Sequence, residues 1–446
     1  MDCPVPGGGG GGVKQLSTAE KGFEAAFVAL LAEARETTED VAGVVGAIIA
    51  DVRARGDVAL CEYTARFDRM KVAAAELAIS AGEVDRAVAS IPVPLMAALE
   101  LAAARIERFH RAQLPRDLVL PDDTGLTLGM RWTALDAVGI YVPGGKAAYP
   151  SSVLMNAIPA REAGVARIAM CVPTPGGVLN PLVLAAARLA GVSEIYRVGG
   201  AQAVAALAWG TATIPAVDRI VGPGNAYVAE AKRQVFGRVG IDSIAGPSEV
   251  VVVADGSNDP RHVAIDLMAQ AEHDEAAQAI LITDDAGFAA AVAAAVEAEL
   301  AVLPRAAIAR ASWEAHGAIV LVRDFSEAIP LVDRLAPEHL QVMLPDPEGF
   351  FARIRHAGAA FLGRGCPEAI GDYVGGPNHV LPTGRSARFA SGLSVFDFLK
   401  RTTWISSRGT DAATALARIG PAAMALAEAE GLQAHGKSVA VRLGLT

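Results

Sequence analysis

The sequence Glu249-Val250-Val251-Val252-Val253 is one glutamate followed by an uninterrupted run of valines. Such a run is typical of a β-strand that is buried on both faces, as in parallel sheets covered by helices. A helical pattern follows at His262 to Ala271, a strand pattern at Ala279 to Thr283, a helix at Ala286 to Leu300 and a strand at Ala318 to Val322. This alternation predicts parallel βαβ units.

A second alternating block lies upstream and begins near Leu135. Its short β-rich runs at Arg167 to Val172, Ile195 to Val198 and Arg219 to Val221 each end at proline or glycine and lead into a helix-like segment. The chain therefore contains two βα blocks, one after the other.

Both flanks of these blocks have a helical pattern. From Lys21 to Arg116 apolar residues recur at spacings of three, four and seven, and after Pro382 the alternation stops. We expect a mostly helical tail to Thr446. The predicted fold class is α/β, with two incomplete Rossmann-like βα domains, a helical N-terminal region and a helical C-terminal arm.

Composition limits the classes of function. The 446 residues are 52% hydrophobic and carry a formal charge of −10, which argues against a nucleic-acid partner because such proteins present a basic face. No apolar run is long enough to cross a membrane, and the four scattered cysteines form no C-x-x-C pair. Six glycines at Gly7 to Gly12 predict a flexible extension rather than a signal peptide. We expect a cytoplasmic protein without a membrane partner.

Several polar residues form a candidate metal site. Gln270 and His273 are three positions apart near a predicted helix end, so they share one face, and Asp372 and His435 add oxygen and nitrogen donors. A nitrogen and oxygen set without thiolate suits zinc in an open, working site. The competing interpretation of Gln270 and His273 alone is a polar surface pair.

Longer segments resemble the histidinol dehydrogenase family from about Phe23 to the C-terminal end. They are, in order, Gly139 to Gly145, Val198 to Ala203, Val221 to Asn225, Ala245 to Glu249, QAEHD at 270–274, APEHL at 336–340, GDYVGGPNHVLP at 371–382 and EGLQAH at 430–435. Each string alone is a weak pattern, and their common order makes the resemblance specific.

The resemblance implies roles for individual residues. Zinc, one ion per subunit, would be bound by Gln270, His273, Asp372 and His435. Glu338 and His339 would be catalytic, with His339 as the base in both oxidations and Glu338 activating water, although a solvated loop is the alternative for this pair. Substrate contacts are implied for Ser248, Gln270, His273, His339, Asp372, His379, Glu430 and His435.

The resemblance also implies NAD as cofactor, contacted by Tyr141, Gln202 and Asn225. Read without the family, the glycines at Gly199-Gly200 and Gly222-Pro223-Gly224 are ordinary turn residues, since they lack the full G-x-G-x-x-G pattern. The implied substrate is L-histidinol, oxidised to L-histidine. The alternatives are a dehydrogenase of another small polar alcohol, such as a sulfonated diol, and a non-catalytic metal-binding paralogue.

The expected domains follow from pattern and resemblance together. They are a flexible extension at 1–22, a main α/β domain formed by 23–134 with 250–382, a nucleotide-binding domain at 135–249 and a helical dimerisation arm at 383–446. In the family this arm packs on the partner subunit of a homodimer. We therefore expect active sites shared across the interface.

Overall fold

The computed structural model describes residues 13–33, 41–144, 149–244, 246–407 and 411–445. The helices are α1 (Phe23–Ala32), α2 (Ala42–Arg55), α3 (Asp57–Phe67), α4 (Ala81–Ala89), α5 (Val93–Ala112), α6 (Pro150–Glu162), α7 (Pro181–Ala190), α8 (Gly200–Trp209), α9 (Ala226–Val235), α10 (Pro260–Ala271), α11 (Ala286–Leu300), α12 (Ala306–His316), α13 (Phe325–Leu335), α14 (Pro347–Phe351), α15 (Glu368–Tyr373), α16 (Asp411–Ala429) and α17 (Gln433–Ala440). The strands are β1 (Lys14–Ser17), β2 (Leu118–Pro121), β3 (Thr127–Ala134), β4 (Ala137–Tyr141), β5 (Arg167–Cys171), β6 (Glu194–Tyr196), β7 (Arg219–Val221), β8 (Gly240–Ile241), β9 (Glu249–Ala254), β10 (Gln278–Thr283), β11 (Ala318–Leu321), β12 (His339–Met343), β13 (Ala359–Leu362) and β14 (Leu399–Ser406).

The valine run forms β9 within a parallel six-stranded sheet of order β1-β11-β10-β9-β12-β13. Every residue of β9 is buried, and Val251 pairs with Ile280 on one side and Leu340 on the other. Helices cover both faces, so apolar side chains can point in either direction along the strand. The prediction of a strand buried on both faces is confirmed.

The upstream block forms a parallel five-stranded sheet of order β6-β5-β4-β7-β8. From β4 the chain adds β5 and β6 on one side and then β7 and β8 on the other, so the strand order reverses between β4 and β7. In the larger sheet the chain likewise adds β10 and β11 on one side of β9 and then β12 and β13 on the other. Its strand order therefore reverses between β9 and β12. Both blocks therefore have the doubly wound topology that the alternation predicted.

The helices before β4 pack on this smaller sheet. Helix α2 contacts α8 and α9, and Val45, Ile48 and Leu60 share one apolar cluster with Leu207. On the opposite face α5 packs against α6. Of the described helices before β4, α1 packs instead on the larger sheet of 250–382, with which we expect 23–134 to group. The division into independently folding domains stays a prediction.

Helices α4 and α5 form a bent pair beside α6 and α7. Ser80 caps α4 by accepting from the Glu83 N–H, and α5 begins just after Pro92. Among the described residues no single helix is both long and apolar enough to cross a membrane. The α4 and α5 pair meets that test jointly by length and composition, with a 116° bend between them.

The expected flexible extension at 1–22 is corrected over its last part. Lys14–Ser17 forms β1, which pairs in parallel with β11 at the edge of the larger sheet, and Lys14 forms an ion pair with Glu33 at 2.8 Å. The free N–H and C=O groups at a sheet edge provide the partners for such a short polar strand. Residues 1–12 lie outside the described residues, as do Gly145 and Ala245 of the family segments.

The tail after Pro382 is less helical than expected. Leu399–Ser406 forms β14, which pairs antiparallel with β3 in a three-stranded sheet of order β14-β3-β2. The Trp404 ring lies so close to Gly129 on β3 that a Cβ there would meet it at 2.1 Å. The partner strand is far away in sequence, so helical periodicity could not have indicated this pairing. Helices α16 and α17 lie in this tail, as predicted.

Candidate active site

The amino edge of the larger sheet collects most of the predicted catalytic and metal-binding residues. Ser248 precedes β9, and His339 is the first residue of the neighbouring strand β12. A helix in a βαβ unit runs antiparallel to the strands, so the last turn of α10, with Gln270, returns to this same edge. The site therefore lies opposite the carboxyl edge where doubly wound sheets usually bind ligands.

His339 is buried and its Nδ1 atom faces oxygen atoms. The carbonyl oxygen of Glu249 lies at 3.1 Å, Gln270 Oε1 at 3.2 Å and Glu368 Oε1 at 3.5 Å. Because these atoms accept hydrogen bonds, Nδ1 carries the proton, and Nε2 keeps the free lone pair. Burial lowers the pKa of His339 to about 4, so the ring is neutral at pH 7 and its Nε2 can accept a proton.

Glu338 is the second buried acid–base group at this edge. Its Oε2 accepts the N–H of Glu249 at 2.9 Å, and Ser248 also hydrogen-bonds to its side chain. Burial raises the pKa of Glu338 well above its ordinary value, although the hydrogen bond from the Glu249 N–H opposes that rise. A carboxyl group with a raised pKa is a better proton acceptor when ionised.

Asp372 on α15 connects the histidines of the site. Its Oδ2 lies 4.0 Å from His273 Nε2, and its Oδ1 lies 3.8 Å from His379 Nδ1. Gln270 Nε2 is buried without a hydrogen-bond partner among the residues that the structure describes. The nitrogen and oxygen donors of His273, Asp372 and His379, with no thiolate among them, fit a divalent cation such as zinc.

Glu368 belongs to the site but did not emerge from the sequence. It is buried, and one oxygen of Glu368 and one of Asp372 lie with a His339 ring nitrogen within 4.8 Å of one another. Burial raises the pKa of Glu368 well above its ordinary value, and the charges of Asp372 and Glu338 raise it further. The spacing in the sequence could have indicated Glu368 as a site residue. It lies four residues before Asp372, so the two side chains share one helix face.

The structure of the single chain does not bring His435 and Glu430 into this group. His435 lies on α17, which packs on α16, and Glu430 follows α16. Both side chains are exposed. In the described part of the chain, no side-chain hydrogen bond or ion pair joins either residue to Gln270, His273 or Asp372.

The three predicted NAD contacts lie together at the carboxyl edge of the smaller sheet. Tyr141 ends β4, and its hydroxyl accepts the N–H of Gly200, the first residue of α8. Gln202 is buried on α8 with no partner for Oε1 among the described residues, and Asn225 caps α9 by accepting from the Val228 N–H. Burial raises the pKa of Tyr141 to about 12, so the hydroxyl stays protonated.

Glycines let the backbone come close at this edge. A Cβ on Gly222 would lie 2.1 Å from the carbonyl oxygen of Tyr141, and a Cβ on Gly199 would lie 2.4 Å from Pro173. The edge lies where the strand order reverses, beside two helix N-termini whose N–H groups attract phosphate. The turn at Gly222-Pro223-Gly224, which follows β7, therefore lies at the point of strand-order reversal where a doubly wound sheet binds a dinucleotide.

A buried histidine and the described cysteines lie outside the candidate site. His110 is fully buried, and its Nδ1 lies 2.8 Å from the carbonyl oxygen of Ile106. The cysteines Cys61, Cys171 and Cys366 are free thiols, and burial raises the pKa of Cys171 to about 12. A thiol with that pKa is a poor nucleophile at neutral pH.

Known proteins match this chain over nearly its whole length. The family model described as histidinol dehydrogenase covers residues 31–443. The histidinol dehydrogenase of Gluconobacter oxydans is 68% identical over 97% of this chain and 99% of the relative, and that of Rhodospirillum rubrum is 63% identical over 96% and 98%. The crystal structure of histidinol dehydrogenase from Elizabethkingia anophelis has a TM-score of 0.92 at 35% identity, covering 97% of this chain and 98% of that one. By these matches, the chain belongs to the histidinol dehydrogenase family.

Proposed function

We propose that this chain catalyses the four-electron oxidation of L-histidinol to L-histidine through histidinaldehyde, with two NAD, as the last step of histidine biosynthesis. The observation that carries the proposal is the environment of His339, whose Nδ1 faces oxygen atoms while Nε2 is left to accept a proton. Family membership supports this activity and neither of the two alternatives, a sulfonated-diol dehydrogenase or a non-catalytic paralogue.

The residues Gln270, His273 and Asp372 would hold zinc, with His435 as the fourth ligand. Bound zinc supplies positive charge that orients the substrate and polarises its oxygen. The support is the donor chemistry at the sheet edge, where the Asp372 carboxylate lies 4.0 Å from the His273 imidazole nitrogen. Ser248, His379 and Glu430 would contact the substrate, and the Glu430 carboxylate suits the cationic amine of an amino alcohol.

His339 and Glu338 would perform the proton transfers. In the first oxidation His339 Nε2 accepts the hydroxyl proton while the carbon gives its hydride to NAD. As the water oxygen bonds to the aldehyde carbon, Glu338 removes a proton from the water and the protonated His339 returns its proton to the carbonyl oxygen, which gives the hydrate. His339 accepts the proton of the resulting hydrate, whose carbon gives a second hydride to a second NAD. The product is the carboxylate of L-histidine.

The assignment can be tested with purified protein, L-histidinol and NAD by following NADH absorbance at saturating zinc. We expect two NADH for each histidinol consumed, with histidine as the product. A sulfonated diol should give no NADH. Absence of NADH with histidinol would overturn the proposed function, and one NADH per histidinol would overturn the four-electron stoichiometry.

We expect Glu338→Gln to damage the second oxidation far more than the first. Glutamine keeps the shape of the side chain but cannot take a proton from water, so the aldehyde step should slow by roughly a hundredfold. The two steps are measured by supplying histidinol or histidinaldehyde in separate stopped-flow reactions. Equal losses in both reactions, or none in either, would remove Glu338 from water activation.

We also propose a cytoplasmic homodimer in which His435 and Glu430 reach the site of the neighbouring subunit. The exposure of both side chains in the C-terminal tail supports this arrangement. His273→Ala and His435→Ala should each be inactive alone. A mixture of the two variants after random co-refolding should recover about a quarter of native activity, since half the dimers are mixed and each mixed dimer has one intact site of two. No recovery despite verified subunit exchange would place His435 in the site of its own chain.

A further inference from the structure

A buried ion pair lies beneath the carboxyl edge of the smaller sheet and takes no part in the chemistry above. The side chains of Lys232 and Asp242 are 3% and 5% exposed, and they contact each other directly. Lysine and aspartate are rarely buried this fully unless they are paired and hydrogen-bonded. The pair therefore needs a specific structural reason.

Both members of the pair hold the same backbone residue. Lys232 Nζ donates to the carbonyl oxygen of Gly222 at 3.0 Å, and the Gly222 N–H donates to Asp242 Oδ2 at 2.8 Å. Lys232 comes from α9, whereas Asp242 follows β8. The N–H and the carbonyl oxygen of Gly222 are thus each hydrogen-bonded to a charged side chain, and the two side chains come from different parts of the fold.

Gly222 has a conformation that requires such support. Its φ is +114°, a value that disfavours any other residue, and a Cβ there would lie 2.1 Å from the Tyr141 carbonyl oxygen. The turn then continues through Pro223 and Gly224 to Asn225, which caps α9. The position of Gly222 consequently sets the distance between the end of β4 and the N-terminus of α9.

We propose that the Lys232 and Asp242 pair is a positioning device for the dinucleotide: it fixes Gly222 and so aligns Tyr141 with Asn225. The inference rests on the proposed NAD site. Net stabilisation alone does not account for the pair, because apolar residues of similar volume in place of a buried ion pair are often as stable. The proposed metal ligands Gln270, His273 and Asp372 lie at the amino edge of the larger sheet and do not depend on this turn.

The test compares three variants: Lys232→Met, Asp242→Leu and the double variant. Each single change leaves one unpaired buried charge and should lower the melting temperature, whereas the double variant should melt within about 5 °C of the native protein. All three should bind NADH roughly ten- to a hundredfold more weakly by fluorescence titration. In the double variant KM for NAD should rise by the same factor, while KM for histidinol, zinc content and kcat at saturating NAD change by less than about twofold.

The matched control is Arg233→Gln, which removes a positive charge from the next residue of α9. Arg233 is exposed and pairs with Glu230, so NADH affinity should stay native. If the folded double variant binds NADH with native affinity, the Lys232 and Asp242 pair is not needed to position the dinucleotide. That result would overturn this inference and leave the proposed function intact. Failure of the native protein to bind NADH would overturn the proposed NAD site as well.

Discussion

Removing zinc from the purified protein should abolish NADH formation from L-histidinol, and added zinc should restore it. The expected loss is about 10³-fold or more, since an open metal site contributes several kcal/mol by orienting the substrate and stabilising charge. His273→Ala should reproduce this loss, because its Nε2 lies 4.0 Å from Asp372 Oδ2 in the predicted donor set. Activity and bound zinc are measured on the same samples.

The control for this prediction is His262→Ala. His262 is an exposed residue at the opposite end of α10 from Gln270, so both zinc content and activity should remain native. Circular dichroism should show that the metal-free protein and the His273→Ala variant stay folded, because the sheets have large apolar cores. Full turnover by protein that elemental analysis finds free of metal would refute the metal hypothesis.

His339→Asn should slow both oxidations by roughly 10²- to 10⁴-fold, which is the usual contribution of a positioned general base. Asparagine can still donate a hydrogen bond to the Glu249 carbonyl oxygen, but it has no lone pair that accepts a proton at neutral pH. Zinc content and NADH affinity should stay within about twofold of native, because the change removes neither a predicted ligand nor a cofactor contact.

Single-turnover measurements with histidinol and with histidinaldehyde separate the effect of His339→Asn from that of Glu338→Gln. The former should slow both reactions, whereas the latter should mainly slow oxidation of the aldehyde. His356→Asn provides a control for histidine loss elsewhere, since no role is assigned to that residue. A native rate of hydride transfer from histidinol in the His339→Asn protein would exclude His339 as the base.

The sequence by itself determined the regular elements of both βα blocks. The valine run at Val250 to Val253 and the helix from Ala286 to Leu300 were predictable, because local apolar periodicity reflects which faces become buried. The helix that carries Gln270 was also predictable, but His273 lies two residues beyond its end, so the predicted shared helix face is wrong. Family resemblance then supplied roles that spacing could not, such as those of Glu338 and His339.

Only the tertiary structure decided which distant segments meet. Strand β14 and the edge strand β1 have little local signal, because a short strand is stabilised by hydrogen bonds to a partner chosen by the whole fold. The proximity of Glu368 to His339 has the same origin: it depends on α15 returning to the amino edge of the larger sheet. The burial of Lys232 beneath Gly222 likewise could not be read from a helix pattern, since burial of a charge is stabilised only by partners that folding brings to it.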